Sequence, residues 1–472
     1  MPIKVALPKG RLLNETAVLL QEAGWEINNY HEGTRYYRLQ SRNFPNLVIK
    51  LFQEKDIPIQ VGIGNYDLGI CGLDWVEELL VKYPNSALVR VKDLKYGVGV
   101  LRMVGIRFKD SPALLELQMR SDVIRIVSEY PNLAESFAAK LRLKRYCVFP
   151  LWGASEVYPP ESADLALLDG KIEGKSFDYG LMQVCKVLGF SAYLIANRNS
   201  WESKDMGQEV ASISKQAAEK TNLSYVDVKG DTPRIQSYTP MKLTEDIVRI
   251  ALPDGHQQPP TICLLSQAGI QIDDTLATGN RRPKTNLDGV VIKVIRPQDM
   301  PLQVANGNFD LAITGRDWLR EHLYQFPSSP VTELLDFKFG KVTVVAVVSR
   351  DSFIGDINSL RKLSTDRLTP LRVASEYVNI ADKYARDNHL GLYRIVPTWG
   401  ASEAFLPEDA DLLVENSQTG GTIARHNLKI IDTIFESTAC LIGNTDKISN
   451  IVKCNRIESI IAVLRIAAEN LK

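Results

Sequence analysis

The sequence predicts an α/β protein built as a tandem duplication, each copy a two-lobed unit with doubly wound sheets. Three observations lead there: a long internal repeat, an alternation of β-rich runs with amphipathic helices, and a size and composition suited to several soluble domains. At 472 residues, and roughly 100–200 residues per domain, the chain holds two to four domains. Residues 124–165 align without a gap on 371–412 with 20 of 42 positions identical, and 48–80 align on 291–323 with 17 of 33. IKVALPKG at the start matches VRIALPDG from Val248. A period of about 245 residues is too long for a solenoid, so each copy is a complete folding unit.

Within the first copy, IKVALP is a short β-rich run. The following LLNETAVLLQEAG places Leu13, Ala17 and Leu20 on one helical face, with Leu12, Thr16 and Leu19 beside it and Gly24 as the stop. LVIKLF reads as a strand, and Asp56 caps a helix with Pro58 in its first turn. YDLGICG is a strand, and Asp74 caps DWVEELLVKY. Such alternation implies parallel sheets. YGVGVLRMV and SAYLIAN read as buried strands flanking the second lobe, so the chain crosses twice between lobes and encloses a cleft. Residues 206–220 form a closing helix, and ESIIAVLRIAAENLK closes the second copy.

The expected boundaries are a first half over 1–221, a linker over 222–245 and a second half over 246–472. The first half divides into a lobe at about 1–98 plus 197–221 and a lobe at about 99–196. The second divides into about 246–341 plus 444–472 and about 342–443.

Hydrophobic residues make up 45% and charged residues 24%, which excludes a disordered chain and a membrane protein. Lysine plus arginine and aspartate plus glutamate each count 56, so binding of nucleic acid through an overall basic field is not expected. The six cysteines lack C-x-x-C spacing and the five histidines lack H-x-x-x-H spacing, so neither a disulfide framework nor a protein-held metal centre is expected. The start, MPIKVALPKGRLL, carries no secretory apolar stretch, and a cytoplasmic location follows as the expectation.

The segment richest in chemistry is DADLLVENSQTGGTIARHNLKIID at 409–432. A buried strand runs into a loop with Gly420 and Gly421 between Thr419 and Thr422, then into a helix starting near Ile423. Glycines allow close backbone approach, threonines bring hydroxyls, and a helix start offers unpaired N–H groups, a combination suited to phosphate. Glu415, just before the loop, is suited to a sugar diol. A plain helix cap after a strand is the competing reading of the same residues.

LPKGRLL, RPQDMPLQVANGNFDLAITGRDWL, WGASE and ADLLVENSQTGGTIARHNL together resemble the short form of ATP phosphoribosyltransferase, over nearly the whole chain and twice. The resemblance implies a fold like type II periplasmic binding proteins. It also implies the first reaction of histidine biosynthesis: transfer of the phosphoribosyl group of 5-phosphoribosyl diphosphate to N1 of ATP, with Mg²⁺ carried on the phosphates and release of pyrophosphate. Carried over by motif, Lys9, Arg11, Arg296 and Glu403 are the expected catalytic residues. Glu415, Thr419, Gly420, Gly421, Thr422, Gly315, Asp317 and Asp74 are the expected substrate-binding ones. The implied partners are the two substrates, further copies of the chain and a regulatory subunit resembling histidyl-tRNA synthetase; short-form members lack a regulatory domain of their own.

The halves have lost different parts. Half one keeps Pro8-Lys9-Gly10-Arg11, but Ile172, Glu173 and Lys175 stand where half two has Thr419, Gly420 and Thr422. Half two keeps its loop and Arg296, but Asp254 and His256 replace both cations, whereas Gln53 stands at the Arg296 position in half one. The glutamate of WGASE occurs twice, as Glu156 and Glu403. A composite site is therefore expected, with Lys9 and Arg11 serving the loop of half two. Asp56, Asp74, Asp299 and Asp317 also fit helix caps, and Trp152 and Trp399 read as packing. Arg35, Arg281 and Arg282 are further candidates for neutralising pyrophosphate. An inactive regulatory paralogue and a plain binding protein of the same fold are the alternatives to an active enzyme.

Overall fold

The computed structural model describes residues 2–34, 36–106, 117–169, 181–219, 246–273, 280–418, 420–445 and 450–470. The expected linker, Arg35, Thr419 and the half-one residues Ile172, Glu173 and Lys175 lie outside these. Contacts divide the chain into two compact units. Unit 1 comprises 1–150, 163–239 and 399–404, and unit 2 comprises 151–162, 240–398 and 405–472.

Unit 1 contains two sheets. The first runs in the order Arg38–Leu39, Leu47–Gln53, Ile3–Lys9, Leu68–Gly72, Ala192–Asn197, Leu88–Asp93. Its central strands are parallel, as alternation requires, but Ala192–Asn197 is antiparallel to both neighbours. The sheet is thus mixed, because SAYLIAN is the return strand and enters the first sheet from the second. The second sheet runs Leu181–Phe190, Gly99–Ile106, Leu165–Asp169, Ile124–Ser128, Tyr146–Pro150.

The same pattern recurs in unit 2. One sheet is ordered Val290–Ile295, Val248–Pro253, Leu311–Gly315, Ala439–Asn444, Val331–Asp336. The other is ordered Leu428–Ser437, Val342–Ser349, Leu412–Ser417, Leu371–Ser375, Tyr393–Pro397. Matching strand orders in both halves establish a tandem duplication of a two-lobed α/β unit.

Each sheet has its own apolar core. Leu13, Leu19 and Leu20 of helix Leu13–Glu22 are buried on the first sheet, and Gly24 ends the helix with a φ of 76°. The closing helix Ile451–Asn470 buries Ile460, Leu464 and Ala467 on its sheet and starts earlier than its apolar spacing suggested. Two further helices follow the return strand, Arg198–Ser203, which the sequence reading missed, and Gly207–Glu219. Among the described residues no helix is long and apolar enough to cross a membrane.

Candidate functional site

In unit 1, strand Ile3–Lys9 ends at Gly10, whose φ of 100° turns the chain so that Arg11 follows directly. Arg11 is then surrounded by carboxylates. Its Nε donates to both oxygens of Glu54 at 3.1 and 3.2 Å, its Nη2 to Asp74 at 2.6 Å and its Nη1 to Asp169 at 2.7 Å. The Tyr130 hydroxyl donates to the same Asp74 oxygen at 2.7 Å, and Phe190 lies under the guanidinium at 4.9 Å. Burial pushes Glu54 up to about 7 even against the pull of Arg11. Burial alone would lower the Arg11 pKa, but Asp74 and Glu54 hold it above its ordinary range.

Three carboxylates around one guanidinium leave this cleft with a surplus of acidic groups. Arg11 is thus held by three carboxylates of its own unit. Lys9 points to Tyr37 instead, with Nζ 3.5 Å from the hydroxyl and 4.8 Å from the ring centre.

Helices Leu73–Lys82 and Arg316–Gln325 are capped by Gly72 and Gly315 in extended conformation, so Asp74 and Asp317 sit inside the first turn and are not caps. A Cβ on Gly315 would lie 2.1 Å from Asp317 Oδ1, so this glycine is required by the carboxylate beside it. Among the described residues of unit 2 no arginine pairs with Asp317 as Arg11 does with Asp74. Instead Tyr377 donates to it at 2.5 Å and Ser437 at 2.8 Å, while Asn416 donates to the Tyr377 hydroxyl at 2.8 Å. The tyrosine contact is common to both halves, so it is the Ser437 hydroxyl that is added in unit 2 where half one has the cation.

Asn416 follows Glu415 on strand Leu412–Ser417, and Glu415 accepts its backbone N–H at 2.9 Å. The strand runs into the glycine loop. Gly420 has a φ of 71° and donates its N–H to Ser417 Oγ at 3.0 Å, and the short helix Gly421–Arg425 follows. Gly421 and Thr422 are exposed. A Cβ on Gly420 would meet nothing within 4 Å, so the need for glycine there is conformational and not a matter of crowding.

At the strand ends of the neighbouring sheet, Asp254 occupies the place that Lys9 has in half one. Arg281 and Arg296 each put Nη1 3.0 Å from its Oδ2. Arg281 also donates to the Val294 carbonyl, at 3.3 Å, and its Nε lies 3.5 Å from Glu156. Sequence comparison held Arg281 only as an outlying candidate; the structure brings it to Arg296. Arg282 serves differently, forking onto Glu161 at 2.8 and 3.1 Å and onto the Val157 and Pro159 carbonyls.

Residues 151–162, which carry the first WGASE, thus pack within unit 2. Asp299 accepts the Trp152 N–H at 3.0 Å instead of capping its own helix, and Trp152 packs on Trp318 at 5.8 Å. Lys293 donates to Glu161 at 2.7 Å, and burial pulls its pKa down to about 7. The second WGASE lies in unit 1, where Lys50 donates to the Ala404 carbonyl at 2.8 Å. Asp56, completely buried there, faces the Trp399 amide outside hydrogen-bonding geometry, and burial raises its pKa. Glu403 thus belongs to unit 1, and within unit 2 Glu156 stands beside Arg281.

Among the described residues no group of three or more His, Cys, Asp or Glu is arranged to hold a metal ion.

A family model described as ATP phosphoribosyltransferase matches residues 53–218 and 296–466. The ATP phosphoribosyltransferase of Saccharolobus solfataricus is 32% identical over 240 residues, covering 48% of this chain and 74% of that protein. The one from Chlorobaculum parvum is 30% identical over 230 residues, covering 48% and 73%. Among solved structures, a chain of the ATP phosphoribosyl transferase (HisG:HisZ) complex from Thermotoga maritima aligns at 20% identity and a TM-score of 0.39, covering 48% of this chain and 100% of that one. The alkanesulfonate-binding protein SsuA from Xanthomonas axonopodis aligns at 11% identity and a TM-score of 0.30, covering 47% and 73%.

Proposed function

The chain belongs to the ATP phosphoribosyltransferase family, and we propose on that premise that it transfers the phosphoribosyl group of 5-phosphoribosyl diphosphate to N1 of ATP, the first step of histidine biosynthesis. The observation that carries this reading is the match of one family model to both halves, including the glycine loop of the second.

In this reaction the bond from C1 of the ribose to the pyrophosphate oxygen breaks with its electron pair, and N1 of ATP supplies the pair for the new bond. No protein nucleophile is needed. What the protein must do is hold two polyanions together and stabilise charge on the leaving group, with Mg²⁺ supplied on the phosphates. In half two, Thr419, Gly420, Gly421 and Thr422 cradle a phosphate of the sugar diphosphate, and Glu415 accepts from the ribose hydroxyls. Arg296 and Arg281 face the leaving pyrophosphate. Asp317, with Gly315 beside it, positions Tyr377 and through it Asn416, at the strand that leads into the loop. Asp74, Arg11 and Glu403 belong to the framework of unit 1, and half one binds no sugar diphosphate. The protein works in the cytoplasm as a homo-oligomer, with feedback control supplied by a subunit resembling histidyl-tRNA synthetase.

Incubation of the pure chain with ATP, 5-phosphoribosyl diphosphate and Mg²⁺ tests the reading. Formation of phosphoribosyl-ATP and pyrophosphate in equal amounts is expected; absence of product at saturating substrates, from a chain that binds the sugar diphosphate, would replace it with the regulatory paralogue.

A further inference from the structure

The arrangement around Asp254 belongs to the second half alone, because half one has Lys9 at the position of Asp254. A single carboxylate oxygen receives one guanidinium nitrogen from Arg281 and one from Arg296, both at 3.0 Å. Asp254 itself is 12% exposed, whereas Arg296 is 43% exposed. One arginine of the pair is therefore accessible while the anion it holds is nearly covered. The Arg296 side chain lies against Gly153, where a Cβ would come within 2.9 Å of Nε, so the guanidinium lies in the room this glycine leaves. Arg281 is fixed from the other side by Glu156 and the Val294 carbonyl. The repeat shows what has changed: half one has Lys9 where half two has Asp254, and Gln53 where half two has Arg296.

We propose that Asp254 is an internal anion that occupies the arginine pair in place of a phosphoryl group, and so sets how tightly unit 2 holds pyrophosphate and the diphosphate end of its substrate. Two guanidinium groups converging on one oxygen form the geometry that a phosphate oxygen would also satisfy. A phosphate oxygen that takes the place of Oδ2 between the two guanidinium groups displaces the carboxylate from at least one arginine, so that cost is subtracted from the ligand's affinity. Glu156 and Gly153 keep the arginines together while the exchange occurs. The inference deepens the function proposed above and rests on it for the identity of the substrate.

The test uses inorganic pyrophosphate with Mg²⁺ as the probe, measured by calorimetry on the whole chain, so that it does not depend on turnover. Asp254→Asn keeps the shape and removes the charge. It should tighten pyrophosphate binding by about tenfold and lower KM for 5-phosphoribosyl diphosphate without a matching rise in kcat. Arg296→Gln in the Asp254→Asn background should return the affinity to wild type or below. Asp254→Ser serves as the second variant if Asp254→Asn does not fold, with the same direction expected. Unchanged or weaker pyrophosphate binding in the folded variants overturns the inference, because Asp254 would then be a positioning group rather than a competitor. A wild-type chain that binds pyrophosphate but forms no phosphoribosyl-ATP would instead count against the reaction alone.

Discussion

The guanidinium of Arg11 and the carboxylate of Asp169 lie 2.7 Å apart and join the two sheets of the first half. Arg11 follows the strand Ile3–Lys9 of one sheet, and Asp169 ends the strand Leu165–Asp169 of the other. Because Glu54 and Asp74 grip the same guanidinium, the ion pair is anchored on one side and spans the cleft on the other. The residue expected from its motif to meet substrate thus also links the two sheets of its own half.

Arg11→Ala should therefore act on stability before it acts on chemistry. Removing the cation leaves Glu54 and Asp74 buried together without a countercharge, and a loss of about 2 kcal/mol is expected after allowance for the partial exposure of Arg11. Lys9→Ala should cost no more than about 0.5 kcal/mol. Urea titrations of the two variants distinguish them. Equal stability for Arg11→Ala and wild type would remove Arg11 from the framework.

Glu54 gives a pH signature. Its pKa in the folded chain, about 7, lies above the ordinary 4.5, so the folded state binds the proton more tightly than the unfolded one. The contribution is fully present below about 4.5 and is lost as pH rises through about 7. The melting temperature of wild type relative to Glu54→Gln should thus fall between pH 5 and 8. A constant difference across that window would show that Glu54 does not titrate there.

At the glycine loop two effects separate. Gly420→Ala keeps the open space but imposes a side chain on a φ of 71°, so about 1 kcal/mol of strain and a modest loss of affinity are expected. Gly420→Glu adds a carboxylate at the proposed phosphate site and should abolish calorimetric binding of 5-phosphoribosyl diphosphate while the chain stays folded. Retained affinity would exclude the loop from the site.

The stoichiometry follows from the contrast between halves. Half one carries Glu173 in the position of Gly420, and its Arg11 is held by three carboxylates. Titration with the sugar diphosphate should therefore saturate at one site per chain. Two equivalent sites would contradict the assignment of a silent half.

The sequence carried the duplication, the alternation of strands and helices and the family, because these rest on local apolar periodicity and on motifs that survive in order. Leu13, Leu19 and Leu20 could be assigned to a buried face from spacing alone, and their helix is where that spacing put it. The glycine loop was legible for a similar reason, since a positive φ at Gly420 demands glycine whatever surrounds it. What spacing could not reach is which groups meet across sheets. Lys9 and Arg11 differ by two residues, yet one faces Tyr37 and the other three carboxylates at positions 54, 74 and 169. Likewise the two copies of WGASE are the same string, but folding assigns residues 151–162 to unit 2 and 399–404 to unit 1, and within unit 2 it is Glu156 that stands beside Arg281. Charge pairing depends on distances of a few ångströms between residues more than a hundred apart in the chain, and only the packed tertiary structure sets those distances.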